Sequence, residues 1–314
     1  MPILPPLKAM FDAQNNAPPL PADVAPAQLR EMIHGMMEQS FFAFSTRRAP
    51  VDERDISIPV DGGKITLRVY RPEVGKGALP CHIYYHGGGF FLGTLDQSND
   101  LCRGLVSDLD CMVIAVDYRL APEFHFPTAP NDAYAALCWV ADHAVELGID
   151  LTRVSVGGAS AGGNLAAVVS QMARDRKGPV IVAQVLEIPV TDFTSERELD
   201  FAEENIHIDC RKSYSAIYLG DESDARNPLA SPLLAETFEA LPPALVMCAE
   251  YDQLQPEGEA YAKRLVEAGV PTIYRCCSGQ FHGSQGFDKL IPAEVSAYRA
   301  EIISFLRNAY EATK

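Results

Sequence analysis

The sequence predicts an α/β protein built on an open, mostly parallel sheet with helices on both faces. Three observations predict it. From about residue 80 onward, short apolar β-branched runs alternate with amphipathic helical stretches. One such run, Val154-Ser155-Val156, enters Gly158-Ala159-Ser160-Ala161-Gly162 and passes directly into a small-residue helix. Another, His82 to Tyr85, ends in His86-Gly87-Gly88-Gly89, a glycine run that leaves backbone amides open to close approach.

Bulk composition bounds the rest. With 314 residues, the chain is long enough for one large α/β domain or two smaller ones. Its 47% hydrophobic and 22% charged content is that of a globular protein able to bury a large core. A net charge of −16 argues against nucleic acid and anionic membrane as partners, since both are polyanions. Eight cysteines show no C-x-x-C pair, and several sit in apolar runs, which suits a reducing cytoplasm. The N-terminus lacks a basic start followed by an apolar core, and no apolar run reaches membrane-spanning length. We expect a cytoplasmic protein without membrane insertion.

The elements follow in order. Residues 1 to about 50 are rich in Pro and Ala, then helical. Leu29, Met32, Ile33, Met36 and Met37 fall at helical spacing, with Phe41, Phe42 and Phe44 beyond. That stripe belongs to a core or to a lid over a pocket. Residues 54–72 alternate as a hairpin around Asp61-Gly62-Gly63. The strand 82–85 and its glycine loop come next, then a helix over 99–109 and a strand from Cys111 to Val116. A second helix ends at Gly148. The Ser160 strand and helix follow, then a strand at 183–190. After Pro189 the rhythm breaks into a polar excursion with no obvious strand before Leu245, the mark of a lid or inserted subdomain. Strand, helix, strand and closing helix complete the chain to about Tyr310.

The chemistry concentrates at Ser160. A strand reversing into a helix within a few residues pushes one side chain out at the apex, where the free N–H groups of the helix start converge. A serine needs a base, and the base needs an orienting acid. Of seven histidines, His282 lies in the loop between the last strand and the last helix, at the sheet edge where Ser160 emerges. His86 reads as structural. The acid is expected after the strand that ends at Glu250. Both Glu250 and Asp252 stand there, and Asp252, just beyond the strand, is favoured.

HGGGFFLGT, DYRLAPE, GGASAGGNLA, YDQLQPEGEAYAKRLVEAGV and GQFHG stand in this order from about residue 50 to the C-terminus. Together they resemble the hormone-sensitive lipase family of bacterial-type carboxylesterases. The resemblance implies the α/β-hydrolase fold: a mostly parallel, eight-stranded central sheet flanked by helices, with a helical cap. It divides the chain into a catalytic domain of residues 51–189 and 241–314 and a cap of residues 1–50 and 190–240. Carried over residue by residue, it makes Ser160 the nucleophile, His282 the base and Asp252 its partner. The amides of Gly88, Gly89 and Ala161 become the oxyanion hole, and Phe90, Phe91, Phe41 and Phe42 candidate pocket walls. The implied substrate is a small ester with a short to medium acyl chain. Neither metal nor organic cofactor is called for, and a homodimer paired through the sheet edge is compatible.

Five positions depart from the family's pattern. Ala159 replaces the usual Asp, Ser284 the usual Phe after His-Gly, and Gln255 and Pro256 interrupt the usual run after the acid. Glu187 lies in an apolar strand, where a buried carboxylate needs partners or a raised pKa. All three triad positions are kept. A lactonase, amidase or deacetylase could run on the same three groups. The same fold also serves as a small-molecule receptor in plant proteins lacking the histidine, and the presence of His282 argues against that reading here.

Overall fold

The computed structural model describes residues 2–15, 24, 27–35, 51–73, 77–195, 200–201, 206–207 and 211–313. The chain begins with helix α1 (Pro5–Asn15) and a helix α2 over 27–35. Strands β1 (Asp52–Val60) and β2 (Gly63–Arg71) form the expected hairpin, with Val60 opposite Gly63 across a two-residue turn. β3 (Leu79–Tyr85), α3 (Asn99–Leu109), β4 (Met112–Asp117), α4 (Thr128–Asp142) and the single turn α5 (Ala144–Leu147) follow. Next come β5 (Ile149–Ala159), α6 (Ala161–Asp175) and β6 (Ala183–Glu187).

The excursion holds a two-residue antiparallel pair, β7 (Asp200–Phe201) and β8 (Ile206–His207), and helix α7 (Arg211–Leu219). The pair is a correction: no strand is expected there from the sequence, because two residues are too few for a periodic signal. β9 (Ala244–Tyr251), α8 (Gln255–Glu267), β10 (Thr272–Phe281) and α9 (Pro292–Glu311) close the fold. Among the described residues no helix is long and apolar enough to cross a membrane.

The eight long strands form one sheet in the order β1-β2-β4-β3-β5-β6-β9-β10. β1 and β2 are antiparallel to their neighbours, and the remaining pairs are parallel. Parallel strands need crossover helices, so both faces are covered. α4, α6 and α8 pack on one face through Leu137, Leu165, Val169 and Leu265. α3 and α9 pack on the other through Leu105, Val106, Ile302 and Leu306. α6 is central, with every residue from Ala161 to Ala173 buried. Each large aliphatic side chain buried there contributes about 1.5–3 kcal/mol.

The excursion's roots are tied together. Leu233 N–H donates to Thr191 O at 2.9 Å, and Phe193 N–H to Ser231 Oγ at 2.8 Å. Asn164 donates to both Val190 O and Ala230 O. Arg264 holds Leu233 O and Ala235 O, and Arg174 holds Thr237 O and Glu239 O. Ala230, Ala235, Phe238 and Leu241 are buried in the main core. Tyr218 and Leu219 of α7 belong to the same core, so the excursion packs onto the body of the fold along much of its length.

Candidate active site

The turn after β5 forces Ser160 into the open. Its φ is +57°, a left-handed conformation that persists only when its surroundings over-determine it. They do so here. Ser160 N–H donates to Glu187 O at 2.8 Å, and Ser160 O accepts from Asn164 N at 3.0 Å and Val190 N at 3.3 Å. A side chain at Gly162 would place its Cβ 1.9 Å from Tyr85 O, so the helix can start here only on glycine.

β9 and β10 deliver the other two groups. His282 follows β10 directly and is half-buried, and its Nε2 lies 3.0 Å from Ser160 Oγ. Its Nδ1 lies 2.7 Å from Asp252 Oδ2. Asp252, in the turn after β9, is buried, and its other oxygen accepts from Leu254 N at 2.9 Å. Its rival Glu250 accepts Gly279 N–H at 2.7 Å instead. Burial works against a charged His282, but the adjacent Asp252 outweighs it and Glu257 adds to it, so the imidazole pKa lies above its ordinary 6.5. This line of three groups can take a proton from a hydroxyl at Ser160 and hold the resulting imidazolium.

A second serine–histidine contact lies elsewhere. His82 and Ser155 are register partners on β3 and β5, with Nδ1 and Oγ 2.8 Å apart. Both are fully buried, and the third member is the Tyr310 hydroxyl, 2.6 Å from Ser155 Oγ. Burial drives the His82 pKa down to about 3, so this imidazole stays neutral. Closed to substrate and lacking an acid, the group fastens α9 to the sheet.

The glycine loop borders Ser160. Gly88 adopts φ +125°, and a Cβ there would meet Leu92 O at 2.2 Å. Among the described residues, the amides of Gly88 and Gly89 donate to no protein group. The Ala161 amide opens α6 and has no partner within the helix. All three are free to meet an oxyanion. His86 is structural: it stacks on Tyr118 at 4.2 Å, its Nδ1 is 2.8 Å from Gly87 O, and burial lowers its pKa to about 4.

Phe90 stacks on Tyr218 of α7 at 3.7 Å and Phe91 packs with Leu29 and Leu92, both fully buried. They brace the loop from behind rather than present an open wall. Phe41 and Phe42 lie outside the described residues. Sequence reasoning missed Glu257, buried in the first turn of α8, where it accepts Thr191 N–H at 2.9 Å and adds to the charge facing His282. Glu257 stands in an ordinary helix-start position, so only its burial distinguishes it.

Residues 82–286 match a protein family described by the alpha/beta hydrolase fold. The carboxylic ester hydrolase LipN of Mycobacterium tuberculosis is 44% identical over 266 residues, covering 82% of this chain and 70% of that one. An arylesterase of Saccharolobus solfataricus is 40% identical over 246 residues, covering 76% and 78%. Among solved structures, a hyperthermophilic esterase of the archaeon Pyrobaculum calidifontis superposes with a TM-score of 0.89 at 36% identity, covering 100% of both chains.

Proposed function

Since this chain belongs to the α/β-hydrolase fold family, as a carboxylic ester hydrolase of the hormone-sensitive lipase kind, we propose that Ser160, His282 and Asp252 are its catalytic triad. One observation carries the assignment: the unbroken line Ser160 Oγ–His282 Nε2 at 3.0 Å and His282 Nδ1–Asp252 Oδ2 at 2.7 Å. Ser160 Oγ attacks the acyl carbonyl carbon as its proton passes to His282 Nε2. The carbonyl oxygen becomes an alkoxide held by the amides of Gly88, Gly89 and Ala161. Each such donor is worth about 3 kcal/mol in the transition state. Collapse breaks the bond to the alcohol, which leaves with the proton from His282. Water, activated by the same imidazole, then releases the acid and restores Ser160.

The substrate is a small ester, and we assign it a short to medium acyl chain. The cap over it combines residues 1–50 with residues 190–240, rooted where the excursion rejoins the sheet. Among the described residues the cysteines are unbridged, which supports a reducing compartment, the cytoplasm. The strand β10 ends the sheet and suits pairing of two copies, which sedimentation would test.

The test of the triad is Ser160→Ala with p-nitrophenyl acetate and a fluorophosphonate. Hydrolysis should fall to background and stoichiometric labelling should vanish. A variant that still turns over the ester would remove Ser160 from the mechanism.

A further inference from the structure

The glycine loop beside Ser160 is conformationally demanding. Gly88, Gly89, Phe90 and Gly93 all have positive φ, at +125°, +61°, +61° and +115°. Phe90 is not a glycine, and a left-handed phenylalanine holds its place only under external constraint. Within the loop, Gly88 O accepts from Phe91 N at 3.2 Å and Leu92 N at 2.7 Å. Two further backbone groups, Phe91 O and Gly93 N–H, find their partners on α2, some sixty residues upstream.

Arg30 supplies the first partner. Its Nε donates to Phe91 O at 2.8 Å, and its guanidinium lies 5.2 Å from the centre of the Phe91 ring. Nη2 donates to Ala121 O, and Ala121 N–H in turn donates to Phe90 O at 2.9 Å. Glu123 grips the guanidinium from the other side, with Nη1–Oε1 at 3.0 Å and Nη2–Oε2 at 2.6 Å. The hydrogen bond from Arg30 holds the Glu123 carboxyl below its ordinary range. One planar fork thus ties two loops into one body, which a lysine's single ammonium cannot do. His34, one helical turn on, supplies the second partner: its Nε2 accepts Gly93 N–H at 3.1 Å. Leu29 and Ile33 pack the same helix onto Phe91 and Leu92.

We propose that Arg30 and His34 are positioning residues for the oxyanion loop, so that α2 governs the rate of acyl transfer. The inference rests on the reading that the Gly88 and Gly89 amides hold the oxyanion. Those donors act only when aimed at the alkoxide, and a displacement of about 1 Å can cost a hundredfold in rate. Arg30 and His34 fix the carbonyl of Phe91 and the amide of Gly93 just downstream of those donors.

The experiment compares wild type with Arg30→Met, Arg30→Lys, His34→Leu and His34→Gln in the full chain. It measures kcat and KM on two acyl lengths, and inhibition by a trifluoromethyl ketone against its methyl ketone parent. The fluorinated ketone accepts Ser160 Oγ and presents an alkoxide to the hole, whereas the parent reports ground-state binding. Arg30→Met should lower kcat roughly tenfold or more, with KM nearly unchanged on both esters. The preference for the fluorinated ketone should shrink by the same factor. Arg30→Lys should recover part of the loss, and His34→Gln, which keeps an acceptor for Gly93, should retain more activity than His34→Leu. Should Arg30→Met fail to fold, His34→Leu carries the same comparison with the Arg30–Glu123 pair intact. A raised KM at constant kcat, or an undiminished ketone preference, would overturn the proposal. A wild type with no ketone preference would instead overturn the oxyanion reading itself.

Discussion

Ala159 and Glu187 are register partners on β5 and β6. Paired residues of parallel strands share a face, so two departures from the family's pattern are neighbours in space. The strand that lacks the usual carboxylate before Ser160 lies beside one that carries an unusual carboxylate. Glu187 is buried, and its own carbonyl receives the Ser160 amide.

This arrangement makes stability depend on pH. Burial pushes the Glu187 pKa up to about 7, although the Tyr298 phenol, the Arg299 charge and the Tyr84 phenol pull the other way. The unfolded chain has the ordinary value of 4.5, so between 4.5 and about 7 the folded state binds more protons. Stability attributable to this group is full below that window, declines through it and is lost above it. The difference is about 3 kcal/mol. Urea unfolding of Glu187→Gln at pH 5 and pH 8 should show the variant gaining on wild type at the higher pH by that order. Parallel wild-type and variant curves would sink the prediction.

Ala159→Asp would set a second carboxylate on the same face. The two acids would repel, and the variant should lose about 1–3 kcal/mol at pH 8, with much less lost at pH 5. Combining it with Glu187→Gln should recover most of the loss. A double-mutant cycle giving simple additivity would show that the two positions do not communicate.

As the proposed base, His282 must be neutral to accept the Ser160 proton. Its pKa is raised above 6.5, so kcat/KM should climb with pH through a midpoint above that value. Asp252→Asn removes the main charge behind the rise and lets an amide N–H face Nδ1, which favours the wrong imidazole tautomer. It should cut kcat by about 10⁴-fold and move the residual midpoint to lower pH. A pH–rate profile of both proteins is the check.

Ser155→Ala leaves His82 Nδ1 and the Tyr310 hydroxyl without their shared partner in a buried site. It should cost about 1–3 kcal/mol of stability. Catalysis and fluorophosphonate labelling should be unaffected, since His82 and Ser155 are closed to substrate. Loss of activity without loss of stability would contradict the structural role.

What the sequence reveals of this site is what the local backbone demands. Gly162 and Gly88 stand where any side chain would collide with neighbouring main chain, so the elbow and the oxyanion loop are legible as spacing. Asp252 and His282 are legible because each follows a recognisable strand on the edge where Ser160 emerges. Arg30 is not, because nothing within its own helix shows that its fork closes on Phe91, Ala121 and Glu123. The return of the excursion is equally hidden. Ala230, Ala235, Phe238 and Leu241 sit in a stretch too irregular for periodicity, yet they are core.

The clasped roots of that excursion bear on how such a protein changes over time. Thr191, Phe193, Ser231 and Leu233 close a neck, and Arg174 and Arg264 anchor the strand-bound side of it. Within this interval α7 is fixed, because Tyr218 stacks on Phe90 and its carbonyl takes Phe126 N–H; it is ahead of α7 that chain can be gained or lost without disturbing the register of β9 or the place of Asp252. Change can therefore accumulate ahead of α7 while the rest of the fold is inherited intact, and grafting a relative's segment there is the corresponding route for engineering.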